Sequence, residues 1–162
     1  MEEDKTDKKD SLLFLYSLLK RLGCGEVGTF EQRLRTQKVQ YFAQLFRVSF
    51  KYQYNLYMRG PYAPALAEDL YKIKELNLKA DVDKFIPEKL EQRFSDLHSF
   101  ISKRSTRELE VAATYHWFLK VAELNEKTAI TKLVEWKGAT EEEIIQAKNS
   151  LSEYEHIKAS YN

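Results

Sequence analysis

Apolar residues recur along most of the chain at intervals of three or four positions, which is the spacing of amphipathic helices. The first such stripe runs from Leu12 to Leu22, and Asp10 stands where it can cap the N-terminus of that helix. Residues 1–9 are mostly charged and contain almost no apolar positions. We therefore predict a flexible charged arm at residues 1–9, followed by a single helical domain at residues 10–162.

Capping signals mark the starts of three further helices. Thr29, Ser105 and Thr140 are each followed three positions later by Gln or Glu, the spacing of a capping box. The helix that Ser105 opens is apolar nearly all round from Leu109 to Leu119, so we predict that it lies at the centre of the fold. Four of its residues are expected to be buried: Leu109, Ala112, Ala113 and Leu119.

Between two of these helices the periodicity changes from three or four to two. Apolar and polar residues alternate from Phe50 to Met58, and the segment ends in the turn sequence Arg59-Gly60-Pro61. This pattern predicts one short extended strand or a small hairpin. Together, the patterns predict a mainly α fold, a compact single-domain bundle of about seven helices with this one extended element.

Composition narrows the possible functions. The chain has 162 residues and a formal net charge of only +1, so it lacks the overall basic charge of many nucleic-acid-binding proteins. Its single cysteine, Cys24, cannot form an internal disulfide, which favours a reducing compartment. No apolar stretch is long enough to span a bilayer, and the N-terminus lacks the apolar region of a signal peptide. We expect a cytoplasmic protein without a membrane partner.

No arrangement of residues typical of catalysis or metal binding is present. The glycines from Gly23 to Gly28 have the spacing G-x-G-x-x-G, but a helix precedes them, whereas a nucleotide-binding loop follows a strand. His98, His116 and His156 are too far apart in sequence for a short metal motif. We expect His116 to be a hydrogen-bonded core residue, and we predict no catalytic residue, metal or cofactor.

The extended segment carries residue types that are common at binding hot spots. Tyr54, Tyr57, Arg59 and Tyr62 crowd around the predicted turn, and Tyr and Arg are enriched where proteins bind one another. We predict that this segment binds another protein. Packing of the same aromatic side chains against the core is the alternative interpretation.

A basic helix offers a second possible binding surface. Four cationic residues lie on the second helix or at its end, and Gln37 or Gln40 could contact base edges beside them. The cationic residues are Arg33, Arg35, Lys38 and Arg47. This pattern is typical both of a DNA recognition helix and of an ordinary solvated face.

Two segments, Leu34–Gln44 and Tyr54–Tyr71, resemble the YwgA-like group of bacterial and archaeal proteins and, more distantly, the Panacea (SocA-like) domain. The shared pattern is a Q-K-x-x-Y helix, an extended segment ending in G-P-Y, and a helix with x-x-L-x-x-D-L; the apolar segment Leu109–Leu119 matches the helix that follows. The matching positions are Gln37, Lys38, Tyr41, Gly60, Pro61, Tyr62, Leu66, Asp69 and Leu70.

The resemblance implies a compact helical domain with a small extended element and no catalytic residue. It also implies that Gly60 and Pro61 fix the turn and that Asp69 holds it by a hydrogen bond. Panacea domains are associated with antitoxin action and proteolytic adaptors, both through direct protein binding, and some relatives are described as possible transcriptional regulators.

The favoured hypothesis is thus a non-enzymatic intracellular protein that binds another protein, in an antitoxin-like or regulatory system. A DNA-binding regulator that uses the helix at residues 29–46 is the first alternative. An enzyme with an unrecognised site is the second. The identity of the partner and the oligomeric state are left open by the sequence.

Overall fold

The computed structural model of the chain describes residues 2–49, 52–76 and 87–161. In these ranges the fold is mainly α, with seven α-helices and one two-stranded antiparallel hairpin, which confirms the predicted fold class. The elements in chain order are α1 (Glu2–Arg21), α2 (Phe30–Leu45), β1 (Asn55–Tyr57), β2 (Gly60–Tyr62), α3 (Pro64–Leu76), a 3-10 turn (Glu88–Leu90), α4 (Glu91–Ser102), α5 (Thr106–His116), a π-helical turn (Trp117–Val121), α6 (Glu126–Lys137) and α7 (Glu141–Lys158).

The predicted caps form. Thr29 makes both halves of a capping box with Gln32 at the start of α2. Ser105 and Thr140 accept hydrogen bonds from the backbone N–H groups three residues later, at the starts of α5 and α7. These bonds satisfy donors that the first turn of a helix would otherwise leave unpaired, so each helix begins where its capping residue stands.

The first helix begins earlier than predicted. It starts at Glu2, so residues 2–9, which the sequence predicted to be a flexible arm, are helical, and the predicted start at Asp10 is wrong. Most residues of this stretch are Glu, Lys and Asp, and Glu and Lys are good helix formers. Such residues can extend a helix without an apolar stripe, and an apolar stripe was the signal on which the prediction depended.

The centre of the fold is built on α2 and α5, which pack against each other. α5 also packs against α7, α6 and strand β2, and every residue from Leu109 to His116 is buried. The prediction of a central α5 that buries Leu109, Ala112 and Ala113 is therefore confirmed. The buried residues of α2 include polar ones: Leu34, Thr36, Gln37, Lys38, Val39, Gln40, Tyr41, Phe42 and Ala43.

The predicted burial of Leu119 is wrong, since its side chain is only partly buried. The chain passes from α-helix into a π-helical turn at Trp117–Val121. A π turn has more residues per turn than an α-helix, so it rotates the residues after it relative to the α-helical face. Phe118, at 2% exposure, takes the inward position instead.

The extended element is a hairpin shorter than the alternating segment. β1 pairs antiparallel with β2, with Asn55 opposite Tyr62 and Tyr57 opposite Gly60, and Met58 and Arg59 form the turn between them. The hairpin packs on α2 and α5. Residues 50 and 51, which belong to the predicted strand, lie outside the described residues. So do residues 77–85, which the sequence predicts to be a linker.

No helix in the described part of the chain combines the length and the apolar character needed to cross a membrane.

Candidate protein-binding cleft

A cleft of about 330 Å³ lies between the first half of α2, the hairpin and α3. This volume is at the lower end of the range for ligand pockets, roughly 300–1,000 Å³. The floor and walls are mostly apolar and aromatic. The lining residues are Phe30, Arg33, Leu34, Gln37, Lys38, Tyr57, Met58, Arg59, Gly60, Tyr62, Ala67, Leu70 and Tyr71.

The rim of the cleft concentrates exposed apolar side chains. Phe30 is 56% exposed, Tyr57 49%, Met58 91% and Tyr71 56%. They make up four of the nine large hydrophobic side chains that are exposed in the described residues. Single exposed apolar residues are common on proteins, but a cluster around one concave surface is typical of a binding site.

The hairpin that forms one wall is held by hydrogen bonds from side chains of two helices, α2 and α6. The buried Lys38 donates from Nζ to the carbonyl oxygen of Pro61 at 2.7 Å. Lys137, on α6, donates to the carbonyl oxygen of Met58 at 2.6 Å. Gln37 bonds both backbone groups of Ala63, donating to its oxygen and accepting from its nitrogen. These long-range bonds fix the turn in one position before any partner arrives.

A buried carboxylate organises the charges behind the turn. Glu110, on α5, is fully buried, and its oxygens lie 2.8 Å from Arg59 Nε, 3.1 Å from Arg107 Nη1 and 3.4 Å from Lys137 Nζ. Burial on its own would raise the pKa of Glu110, but the hydrogen bond from Arg59 and the charges of Lys137 and Arg59 outweigh it and hold that pKa below its ordinary value. Burial lowers the pKa of Lys137, and Glu110 opposes this effect.

Lys38 lies at the floor of the cleft with no exposed surface. Burial lowers the pKa of this ammonium to about 7; the charge of Glu110 acts in the opposite direction, and those of Lys137 and Arg59 lower the pKa further. The side chain is thus half charged near neutral pH and acts mainly as an internal donor to Pro61.

Three of the four predicted partner-binding residues, Tyr57, Arg59 and Tyr62, line this cleft, and the rings of Tyr57 and Tyr62 meet edge to face with centroids 5.2 Å apart. Tyr54 does not line it. Its ring packs edge to face on Tyr41 at 5.2 Å, and burial raises the pKa of its hydroxyl. Tyr54 thus packs against the core, as in the alternative interpretation of the sequence.

Sequence reasoning missed Phe30 and Tyr71, which complete the rim. Both leave a trace in the sequence, because each is a large apolar residue that falls off the buried stripe of its helix. Phe30 follows the capping residue of α2, and Tyr71 follows the buried Leu70 in α3. Only the tertiary structure shows that these two positions face the same hairpin.

The basic residues of α2 do not form an exposed cationic face. Arg35 donates to the carbonyl oxygens of Ile101 and Arg104, both at 3.0 Å, where it caps the end of α4. Arg33 donates to the carbonyl oxygens of Val27 and Gly28. Lys38 is internal, and the half-buried Arg47 lies just beyond the helix at a positive φ of 58°.

The two glutamines that the DNA-binding hypothesis left free for base edges are buried. Gln37 is bonded to Ala63 as described above, and Gln40 Nε2 donates to Ser49 Oγ at 2.9 Å. The prediction that either of them is free is therefore wrong. Both glutamines are buried because α2 lies at the centre of the fold, where their side chains form hydrogen bonds to loop residues.

The other positions of the shared sequence pattern have internal contacts. The hydroxyl of Tyr41 lies 2.6 Å from Nδ1 of His116, which confirms that His116 is a hydrogen-bonded core histidine. Burial and the charges of Lys120 and Lys158 lower the pKa of His116 to about 4, so its ring is neutral at pH 7. Asp69 accepts a hydrogen bond from the hydroxyl of Tyr52 at 2.6 Å, which ties the chain leading into the hairpin to α3.

Among the described residues, no group of three or more His, Cys, Asp or Glu side chains has the arrangement of a metal site. The comparisons add no relative. Neither family models, nor curated proteins, nor solved structures match this chain.

Proposed function

We propose that this protein is a non-enzymatic, cytoplasmic binding module, antitoxin-like or regulatory in role, which holds a segment of another protein in the cleft beside the hairpin. The observation that carries the proposal is the convergence of four exposed apolar side chains, Phe30, Tyr57, Met58 and Tyr71, on one concave surface. Exposed aromatic surface is unfavourable in water, so such a cluster is expected where a partner covers it.

The fixed hairpin supports this proposal. Lys38, Lys137 and Arg59 bond the turn or its neighbouring strand to the helices behind it. A binding surface that is already ordered loses less conformational entropy when a partner binds, so more of the contact energy appears as affinity. The motif resemblance to protein-binding antitoxin and adaptor domains points in the same direction.

The test is a pull-down from cells of the source organism with the full chain and with a Tyr57→Ala/Arg59→Ala double variant. We expect the wild type to retain a defined partner that the double variant loses, because truncating a Tyr or Arg that is a binding hot spot costs about 2 kcal/mol or more. A Trp136→Ala/Lys132→Ala variant is the matched control, since it removes an exposed aromatic–cation pair on α6, outside the cleft.

Circular dichroism of all three proteins establishes that they are folded. Partner lists that are the same for the wild type and for the cleft variant would remove this cleft from consideration. Loss of the same partner in the control variant would place the binding surface on α6 instead.

A further inference from the structure

The polar residues of the cleft are all cationic or amide in character, apart from the tyrosine hydroxyls. Two arginines, Arg33 and Arg59, line it together with the buried Lys38, and none of its thirteen lining residues in the described structure is Asp or Glu. Resting on the function proposed above, we propose that the segment held in the cleft carries a carboxylate directly beside a large apolar side chain. The apolar side chain fills the aromatic cleft, and the carboxylate binds Arg33 and Arg59.

Both guanidinium groups are held in place but only partly bonded. Arg59 engages Glu110 through Nε, while Arg33 uses a single nitrogen, Nη1, for both of its carbonyl acceptors. Within the described ranges, no acceptor bonds the two terminal nitrogens of Arg59, or Nε and Nη2 of Arg33. A carboxylate accepts hydrogen bonds from two guanidinium nitrogens at once, so each side chain retains the donors that such recognition uses.

The charge behind the cleft favours an anion. Glu110 is contacted by three cations, and one further carboxylate, Glu143, contacts Arg107 at 2.7 Å. Three cations therefore share two carboxylates, and Arg33 adds another positive charge at the cleft itself. Because Arg59 is half exposed and Glu110 is fully buried, the uncompensated charge faces the cleft more than the interior. An approaching carboxylate meets a positive potential in a mostly apolar setting, where charge interactions are less screened than in bulk water.

The distance between the aromatic side chains of the cleft and its two arginines sets how far apart the apolar side chain and the carboxylate of the partner can lie. Phe30 lies one helical turn before Arg33 on α2, and its ring centroid is 5.8 Å from the guanidinium carbon of Arg59. An apolar side chain packed on Phe30 thus lies next to both cations. The volume of about 330 Å³ accommodates one or two side chains, so the recognised unit is short.

The experiment selects randomised twelve-residue peptides displayed on phage against the immobilised full chain, with one library free at its C-terminus and one internal to the coat protein. We expect enriched sequences in which Asp or Glu adjoins Phe, Leu or Trp, or in which an apolar residue stands next to a free C-terminal carboxylate. The two libraries separate these two sources of the carboxylate.

Affinities of synthesised selected peptides then test the assignment of the arginines. We expect an Arg33→Gln/Arg59→Gln variant to bind them at least about tenfold more weakly. Replacing the acidic residue of the peptide by Gln, or amidating its C-terminus, should weaken binding to the wild type by a similar factor and have little further effect on the variant. An Arg21→Gln/Lys148→Gln variant removes two paired surface cations elsewhere and should bind as the wild type does.

Selected peptides without an acidic bias, which still lose binding to a Tyr57→Ala variant, would overturn the carboxylate proposal and leave the binding function of the cleft standing. Failure to enrich any sequence, or peptides that bind every variant equally, would overturn both. Reversible dimerisation of the wild type in sedimentation, abolished by the Arg33→Gln/Arg59→Gln variant, would show that the occupant is a second copy of this chain and would also overturn the proposal.

Discussion

Lys38 shows that a lysine whose sequence context suggests an exposed charge can instead be buried and act as an internal hydrogen-bond donor. Its position on a helix with other basic residues suggested contact with phosphate, whereas the structure buries it beneath the hairpin, with Nζ on the carbonyl oxygen of Pro61. Burying an ammonium is costly unless it is bonded and compensated. Glu110 supplies part of that compensation, and the rest of the cost appears as a lowered pKa.

This cost predicts a pH dependence of stability. The pKa of Lys38 is about 7 in the folded state, against 10.5 for an ordinary lysine. Above pH 7 the folded protein releases this proton while the unfolded chain keeps it, so stability rises with pH across the window from 7 towards 10.5. The free energy of unfolding of the wild type should rise relative to that of Lys38→Met by up to about 1.4 kcal/mol per pH unit between pH 7 and 9.

Urea unfolding of both proteins at pH 7, 8 and 9 measures this difference. Lys127→Met, which removes an exposed lysine from α6, is the control and should parallel the wild type. Parallel profiles for Lys38→Met and the wild type would show that the ammonium is not desolvated in the folded protein.

Local sequence signals set where each helix begins, but the elements packed against a helix decide which of its residues face the core. The caps of α2, α5 and α7 form as their sequences indicate. After His116, however, the helix changes to a π turn, and the inward face passes from Leu119 to Phe118. Apolar residues stand on both faces of this segment, so the sequence pattern gives no sign of the change.

The change of phase predicts unequal costs for two leucines. Leu109 has no exposed surface, so Leu109→Ala should lower the free energy of unfolding by about 2–5 kcal/mol through lost contacts and a cavity. Leu119 is only partly buried, and Leu119→Ala should cost less than about 2 kcal/mol. Urea unfolding measures the free energy of unfolding of both variants. A loss for Leu119→Ala equal to or larger than that for Leu109→Ala would show that Leu119 is a core residue.

The hairpin turn gives a second prediction at this scale, which compares two glycines. Gly60 and Gly138 both have positive φ, 89° and 59°, so alanine is strained at either. A Cβ at Gly138 meets nothing within 4 Å, but one at Gly60 would lie 2.6 Å from Oγ1 of the buried Thr114. Gly60→Ala should therefore destabilise the protein by about 1–3 kcal/mol more than Gly138→Ala.

Thermal or urea denaturation measures both glycine variants. The double variant Gly60→Ala/Thr114→Ala removes the clashing hydroxyl, and the two substitutions should therefore cost less together than their separate losses would suggest. Additive losses would mean that Thr114 is not the obstacle.

At the scale of the whole molecule, an aromatic cluster joins helices that are far apart in sequence. Phe42, Phe46, Phe100 and Tyr154 come from α2, the residue after it, α4 and α7, and their neighbouring ring centroids lie 4.9–5.3 Å apart. The cluster covers Phe42 and Phe46 at the end of α2, and four polar residues of the same helix are buried as well: Thr36, Gln37, Lys38 and Gln40. The distinctive surface of the described residues is therefore the cleft, to which α2 contributes Phe30, Arg33 and Leu34 among its lining residues.

This arrangement predicts weak or absent binding to duplex DNA. Arg35 and Lys38 are bonded inside the fold, and the net charge is only +1. We expect no complex with a random-sequence duplex in a gel-shift assay at low salt. A complex whose affinity falls steeply with salt, with a slope near roughly −0.9 per neutralised phosphate, would restore the DNA-binding hypothesis.

The sequence by itself determined the features that depend on neighbouring residues. Capping spacings located the starts of α2, α5 and α7, and the turn sequence around Gly60 located the hairpin, since each signal acts over three or four positions. The apolar content of the segment from Leu109 to Leu119 likewise identified the central helix.

Tertiary structure alone decided which charges are internal and which aromatic residues meet. Phe30, Tyr57 and Tyr71 line one cleft although they lie on three separate elements, and Glu110 pairs with Arg59 across 51 positions of sequence. Such contacts are set by how whole helices pack. A residue's own segment carries no record of its distant partner, so local patterns identified Tyr57 and Arg59 as candidates but could not place them around a cleft.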